Sequence, residues 1–156
     1  MKTWYIILTV LFLTGCGTQQ KTTEMNQELS FKTIAQSSLY GNGKEKIQKG
    51  IYTIKSLTEW NNLLEKMNKV NNEKEKMIPL EIDFDKSMVI AVFDNVLGSG
   101  GVKVQINKIE ETPEQIIVYA GHSTPMGFAT MVMNQPYHLV LTQKSDKPVK
   151  LSGLKL

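Results

Sequence analysis

The chain has 156 residues, with 18 basic residues against 15 acidic ones and a formal net charge of +3. Every basic residue is a lysine, and the lysines are spread along the chain. Because arginine is the usual residue for bidentate recognition of bases and phosphates, this composition argues against a nucleic-acid-binding protein. The single cysteine excludes a disulfide within the chain, and a chain of about 150 residues buries about 68–70% of its surface without one.

The amino-terminal segment has the pattern of a cleaved signal. Lys2 precedes an apolar run over residues 4–13, and these ten residues are too few to span a bilayer, which takes about 20. The next residues are Leu13-Thr14-Gly15-Cys16, which resemble the lipobox of bacterial lipoproteins. The resemblance implies that residues 1–15 are removed and that Cys16 carries two or three acyl chains, enough for stable anchoring. The alternative is an ordinary secretory signal with a coincidental cysteine.

The same motif predicts a compartment and a tether. An acylated Cys16 places the protein in the cell envelope of a bacterium, lipid-anchored to a membrane. Gly17 stands where the enterobacterial inner-membrane retention signal has aspartate, which favours the outer membrane or the cell surface. Residues 16–30 are polar and lack periodicity, so we predict a flexible tether that spans roughly 20 Å. A single globular domain is expected over residues 31–156.

One amphipathic helix is predicted. Apolar residues recur at spacings of three and four over residues 57–70, which places them on one helix face. Ser56 and Glu59 form a capping-box pattern at its start. Trp60 is predicted to be its most deeply buried residue. The polar, charged residues 71–76 are predicted to form an exposed loop.

The remaining segments predict strands. Residues 88–93 are continuously apolar and rich in β-branched side chains, which favours a strand covered on both faces, by the helix and by the rest of a curled sheet. One helix and six or seven strands joined by short turns predict an α+β domain with a mainly antiparallel sheet, curled or sandwich-like. The predicted strands are 31–38, 51–54, 88–93, 102–107, 116–120, 136–142 and, as a short edge strand, 149–151.

The segment Gly98-Ser99-Gly100-Gly101 suggests a phosphate-binding loop or a turn. A phosphate-binding loop opens a helix and carries a Lys-Ser or Lys-Thr pair after its last glycine. Here the alternating residues 102–107 continue as a strand instead. We therefore favour a hairpin turn or bulge in which glycine supplies a positive φ.

Two histidines, His122 and His138, are the candidates for catalysis. A Ser-His-Asp group could include His122, Ser123 and one of Asp83, Asp85 and Asp94, but no nucleophile-elbow motif orders it. Two distant histidines without a free cysteine are also poor zinc ligands. His138 lies within a predicted strand and is interpreted as a hydrogen-bonded structural residue. We predict no catalytic residue, metal site or cofactor.

A methionine-rich stretch, residues 124–133, holds three of the eight methionines. Methionine is adaptable and is common on surfaces that bind other proteins. Met131 and Met133 are interpreted as core residues of a strand, with a partner-binding role as the alternative. The residues on either side of Gly127 are expected at the tip of an exposed loop. The candidate partner-binding residues are Pro125, Met126, Gly127, Phe128, Gly100 and Gly101.

Three segments in order resemble the C-terminal domain of the PrcB-like family of protease complex subunits. They are Ile82 to Val92, Ser99-Gly100-Gly101-Val102, and Pro136-Tyr137-His138 with the strand that follows. The resemblance covers residues 82–151 well and 51–67, including the Glu-Trp pair at Trp60, loosely. Ser99 replaces the family's usual threonine, and Val102 replaces an aromatic residue. The resemblance implies a lipoprotein accessory subunit that associates with a secreted surface protease and stabilises it.

The resulting hypothesis is a non-enzymatic, membrane-anchored lipoprotein that binds and stabilises an exported partner such as a surface protease. The alternative is a protease inhibitor or a small-ligand-binding lipoprotein that uses the loop at 125–128 or a groove of the sheet. A third class, a hydrolase that uses His122 or His138, lacks an ordered catalytic group in the sequence.

Overall fold

A computed structural model describes residues 26–70, 72–77, 81–124 and 130–154. The predicted signal segment and Cys16 lie outside these residues. The described residues form eight strands, one α-helix and one short 3₁₀ helix. In chain order these are β1 (Gln27–Glu28), β2 (Phe31–Leu39), β3 (Gly50–Ile54), α1 (Leu57–Met67), the 3₁₀ helix (Glu73–Lys76), β4 (Ser87–Phe93), β5 (Lys103–Glu111), β6 (Ile116–Ser123), β7 (Gln135–Gln143) and β8 (Val149–Ser152).

The strands form two four-stranded sheets. The first has the order β1-β5-β6-β8, and the second has the order β2-β7-β4-β3. All neighbouring strands are antiparallel except β6 and β8, which run parallel. The predicted α+β class with a mainly antiparallel, sandwich-like arrangement is confirmed, as is the position of β8 at a sheet edge.

Strand β4 is the centre of the core. Met88, Ile90 and Val92 point towards the first sheet and pack in the layer between the two sheets. Val89, Ala91 and Phe93 point the other way and pack in the layer that includes α1. Because side chains alternate along a strand, continuous apolar sequence gives a strand buried on both faces. The predicted double covering of this strand is confirmed.

The helix begins where its sequence predicts. The Ser56 side chain accepts a hydrogen bond from the Glu59 amide (3.2 Å), and the Glu59 carboxylate accepts one from the Lys55 amide (2.7 Å). The helix ends earlier than the apolar spacing predicts, at Met67, and Asn68 caps it.

The buried face of the helix differs from the prediction. Met67 is completely buried, whereas Trp60 is only half-buried, so the prediction that Trp60 is the deepest residue is wrong. Leu57 is 62% exposed and Val70 is 46% exposed, although both fit the apolar spacing. The apolar spacing identifies residues that share one face of the helix. Which of them are buried depends on how far the sheet extends beneath the helix.

The structure also corrects two segments that were predicted to be irregular, the loop at residues 71–76 and the tether at residues 16–30. Residues 73–76 form the 3₁₀ helix, and Glu73 is buried because the Tyr137 hydroxyl donates a 2.6 Å hydrogen bond to its carboxylate. Burial and this carboxylate raise the pKa of Tyr137.

In the predicted tether, β1 pairs with β5 and Leu29 is buried. The last residues of the predicted tether therefore belong to the folded domain.

The sandwich has two distinct ends. Because β1 pairs with Glu110 and Glu111, the chain enters where β5 and β7 end and β4 begins; we call this the tether end. The opposite end, which we call the far end, carries the last residues of β2, β4 and β6 and the first residues of β5 and β7. Within the described part of the chain, no helix is long and apolar enough to cross a bilayer.

Candidate functional site

The glycine-rich segment connects the two sheets at the far end. It leads from β4 in the second sheet to β5 in the first, so the prediction of a hairpin turn is wrong, since β4 and β5 are not paired. The positive φ predicted for glycine is present at Gly101, at 97°. A strand follows the glycines rather than a helix, as expected for a segment that is not a phosphate-binding loop.

The glycine-rich segment lies directly against residues 130–134. Leu97 and Asn134 exchange two backbone hydrogen bonds, of 2.7 and 3.0 Å, and the Gly100 amide donates to the Thr130 carbonyl (2.7 Å). The Asn134 side chain donates to the Ser99 carbonyl (2.9 Å). These bonds join two segments that are more than thirty residues apart in the sequence.

Close approach explains the glycine at position 100. A Cβ atom there would overlap the Thr130 hydroxyl and would lie 2.9 Å from a methyl group of Val132. Glycine is therefore needed so that the two segments can pack together. At Gly98 the nearest atom to such a Cβ is the sulfur of Met133, at 3.8 Å, an ordinary contact distance.

Residues 131–133 form an exposed apolar segment, which we call the methionine segment. Met131 is fully exposed and Met133 is 45% exposed, so their interpretation as core residues is wrong. They do not lie in a long strand; only Asn134, next to them, forms an isolated bridge. The packing of Val132 against Gly100 fixes the segment at the surface.

The structure describes two of the six candidate partner-binding residues. Gly100 and Gly101 lie beside the methionine segment. Pro125, Met126, Gly127 and Phe128 lie outside the described residues. The described residues on either side are Thr124, which directly follows β6, and Thr130, and both belong to the far end.

The sequence did not predict a charged cluster that lies at the far end. Asp94 follows β4, Lys49 precedes β3, and His122 lies near the end of β6 in the other sheet. The Asp94 carboxylate contacts the Lys49 ammonium at 2.8 Å and Nε2 of His122 at 2.5 Å. Asp94 and His122 are 28 residues apart, and neither their spacing nor their neighbours signals the contact.

The cluster has a buried centre and an exposed rim. Asp94 is buried and the Lys49 side chain is only 10% exposed, whereas the His122 side chain is 41% exposed. Burial alone would raise the pKa of the Asp94 carboxyl. Hydrogen bonds from Lys49, the Asn95 amide and His122 outweigh it and hold that pKa below its usual range.

This cluster orients His122 but does not complete a Ser-His-Asp group with the adjacent serine. Ser123 is the next residue of β6, and side chains alternate along a strand, so its hydroxyl projects from the opposite face. Nucleophilic catalysis needs the hydroxyl within hydrogen-bond reach of the base. The arrangement is therefore an ion-pair cluster that ties the two sheets together.

His138 has the structural role predicted for it. Its Nδ1 accepts a 2.9 Å hydrogen bond from the Ile106 amide of the facing sheet, and Nε2 lies 2.9 Å from the Thr33 hydroxyl. Burial lowers the pKa of His138 to about 4. Among the described residues, no group of three histidine, cysteine, aspartate or glutamate side chains could hold a metal ion.

Two depressions lie between α1, β3 and the loop that precedes β3. The first, about 250 Å³, is partly apolar and includes Ile47, Tyr52 and Leu63. It is smaller than typical small-molecule sites, which span about 300–1,000 Å³. The second, about 870 Å³, is lined by polar side chains of α1 together with Glu45 and Lys46. Neither has the size and the largely apolar lining of a typical small-ligand pocket.

Comparison of the chain with protein-family models, with curated proteins and with solved structures gave no match.

Proposed function

We propose that this protein is a lipid-anchored, non-enzymatic component of a bacterial cell envelope that binds and stabilises an exported protein. A surface protease is the partner that the PrcB-like resemblance suggests. The observation that carries the proposal is the methionine segment, an apolar surface fixed by hydrogen bonds at one end of a rigid sandwich. The lipobox resemblance supports the proposed location at a membrane of the cell envelope.

The methionine segment has the properties of a protein-binding surface. Exposed apolar side chains that are contiguous mark interaction sites more often than single exposed residues do. Met131, Val132 and Met133 are contiguous, and methionine adapts its shape to a partner at little cost. The hydrogen bonds of Asn134 and Gly100 hold the backbone beside them, which reduces the ordering cost of association.

The His122 cluster supports a non-enzymatic role. Its carboxylate is neutralised by Lys49 within the protein, and the adjacent serine projects away from the imidazole. The contact of Asp94 with His122 ties β4 to β6 and gives the far end a fixed shape.

The anchoring is tested by replacing Cys16. We expect the Cys16→Ala protein to lose fatty-acid labelling and to move from the membrane fraction to the soluble exported fraction, because the acyl chains supply the membrane affinity. Metabolic labelling and fractionation measure both. Replacement of Ser38, a serine of the folded domain, with alanine is the control and should leave both unchanged. A Cys16→Ala protein that stays labelled and membrane-bound would refute the anchoring.

The binding is tested by co-purification from membranes in mild detergent. We expect a specific exported protein to co-purify with the parent chain and to be lost with Met131→Ser/Met133→Ser. Leu57→Ser, which alters an apolar residue of similar exposure on α1, should retain it. If the partner is a protease, it should survive longer in the presence of this protein.

The outcomes separate the proposed role from its competitor. A protease whose activity falls on addition of the purified protein would indicate an inhibitor rather than a stabiliser. Recovery of no exported protein by the parent chain would contradict the proposed function.

A further inference from the structure

Among the described residues of the far end, exposed lysines outnumber exposed carboxylates. Lys44, Lys46 and Lys103 are exposed there. Two acidic residues of this end, Glu45 and Asp94, are buried, whereas Glu65 of α1 is exposed and lines a depression with Lys46, Lys66 and Lys69. Glu45 accepts a 2.9 Å hydrogen bond from the Gly41 amide, and Asp94 binds Lys49 and His122. These two carboxylates are thus turned inward, and the exposed lysines lie at the same end as the methionine segment.

The tether end has a different charge pattern. Exposed carboxylates there alternate with lysines, and some of them pair, as Asp83 does with Lys86 at 3.4 Å. Its exposed acidic residues include Glu28, Asp83, Asp85, Glu114 and Asp146. The excess of positive charge is therefore a property of the far end and not of the whole surface.

The proposed lipid anchor is attached to the domain at the tether end, opposite the far end. Strand β1 begins at Gln27, eleven residues after Cys16. Strands β5 and β7 have nine residues each, and at about 3.3 Å per residue they separate the two ends by about 30 Å. A lipid anchor at Cys16 would therefore join the domain through the tether end, with the far end on the opposite side of the domain.

We infer that the far end is the docking surface for the exported partner, and that the partner presents an apolar patch bordered by carboxylates. This inference rests on the proposed function and specifies the orientation and chemistry of the contact. The methionine segment supplies the apolar centre, and Lys44, Lys46 and Lys103 supply the complementary rim. Rim charges of this kind accelerate association and make it sensitive to salt.

Crosslinking of the lipid-anchored protein in intact envelopes tests the orientation. A photoreactive phenylalanine analogue at Met131, which is fully exposed, should crosslink the partner identified by co-purification, whereas the same analogue at Glu114, in the turn between β5 and β6 at the tether end, should not. A crosslink from Glu114 but not from Met131 would overturn the docking end while leaving the proposed function intact. Absence of any co-purifying exported protein would overturn both.

Charge reversal tests the chemistry of the rim. The full chain with Lys44→Glu, Lys46→Glu and Lys103→Glu should bind the purified partner about tenfold or more weakly at low salt. The matched variant Lys32→Glu, Lys86→Glu and Lys150→Glu changes the net charge equally at the tether end and should differ from the parent by less than about twofold. Thermal unfolding of both variants shows whether the fold is kept.

Two results would overturn the inference. Equal weakening by both triple variants would show that net charge, and not the far-end rim, governs binding. Far-end lysines that are needed for binding to phosphatidylglycerol vesicles, but not for binding to the partner, would assign this end to a lipid surface instead.

Discussion

Replacement of Asp94 with asparagine is expected to lower the free energy of unfolding by about 3 kcal/mol, because removing one member of a buried ion pair leaves the other charge poorly compensated. Asparagine keeps the shape of the side chain, so the loss reports the charge. The Lys49 ammonium and the His122 imidazole both lose the carboxylate that they contact at 2.8 and 2.5 Å. Urea unfolding with an unchanged slope measures the difference.

Asp83 provides the matched control. Its carboxylate also faces a lysine, Lys86 at 3.4 Å, but both side chains are largely exposed. Exposed pairs contribute little to stability, so Asp83→Asn should cost much less than Asp94→Asn. Adding Lys49→Met to Asp94→Asn should recover part of the lost stability, because it removes the buried charge left behind. Equal losses in the two aspartate variants would contradict the buried ion pair.

The Asp94 pair also has a defined pH window. Its pKa is lower in the folded protein than in the unfolded chain, so the folded state favours the ionised form. The stabilisation is fully present above the unfolded pKa of about 3.9 and is lost as the pH falls through the lower, folded value. The Asp94 contribution should therefore be lost only in strong acid.

Local patterns in the sequence predicted the elements but not the site. Strand β4 was predictable because continuous apolar sequence needs burial on both faces, and the start of α1 was predictable because Ser56 and Glu59 are three residues apart. The contact between Asp94 and His122 joins two sheets, so no local spacing encodes it. The exposure of Met131 and Met133 depends on how residues 130–134 pack against the glycine-rich segment, which alternation of apolar residues cannot show.

His138 couples the two sheets through a neutral imidazole. Because a backbone N–H can only donate, Nδ1 must accept the hydrogen bond from Ile106, and the ring proton then lies on Nε2, facing Thr33. Protonation of Nδ1 would break the bond to Ile106 and bury a charge. Both effects disfavour the protonated imidazole and therefore agree with the lowering of the pKa of His138 to about 4.

The stability of the parent protein should fall by roughly 3 kcal/mol through His138 alone as the pH drops from 7 to 4, since the unfolded histidine binds a proton near pH 6.5 and the folded one does not until about pH 4. Urea unfolding across this range should show a shallower decline for His138→Gln, whereas His122→Gln should keep the parent's His138 contribution. The Hε1 resonance of His138 should stay unshifted until the pH approaches 4. A midpoint near 6.5 for that resonance would contradict the buried neutral imidazole and, with it, the hydrogen bond through which β7 holds the facing sheet.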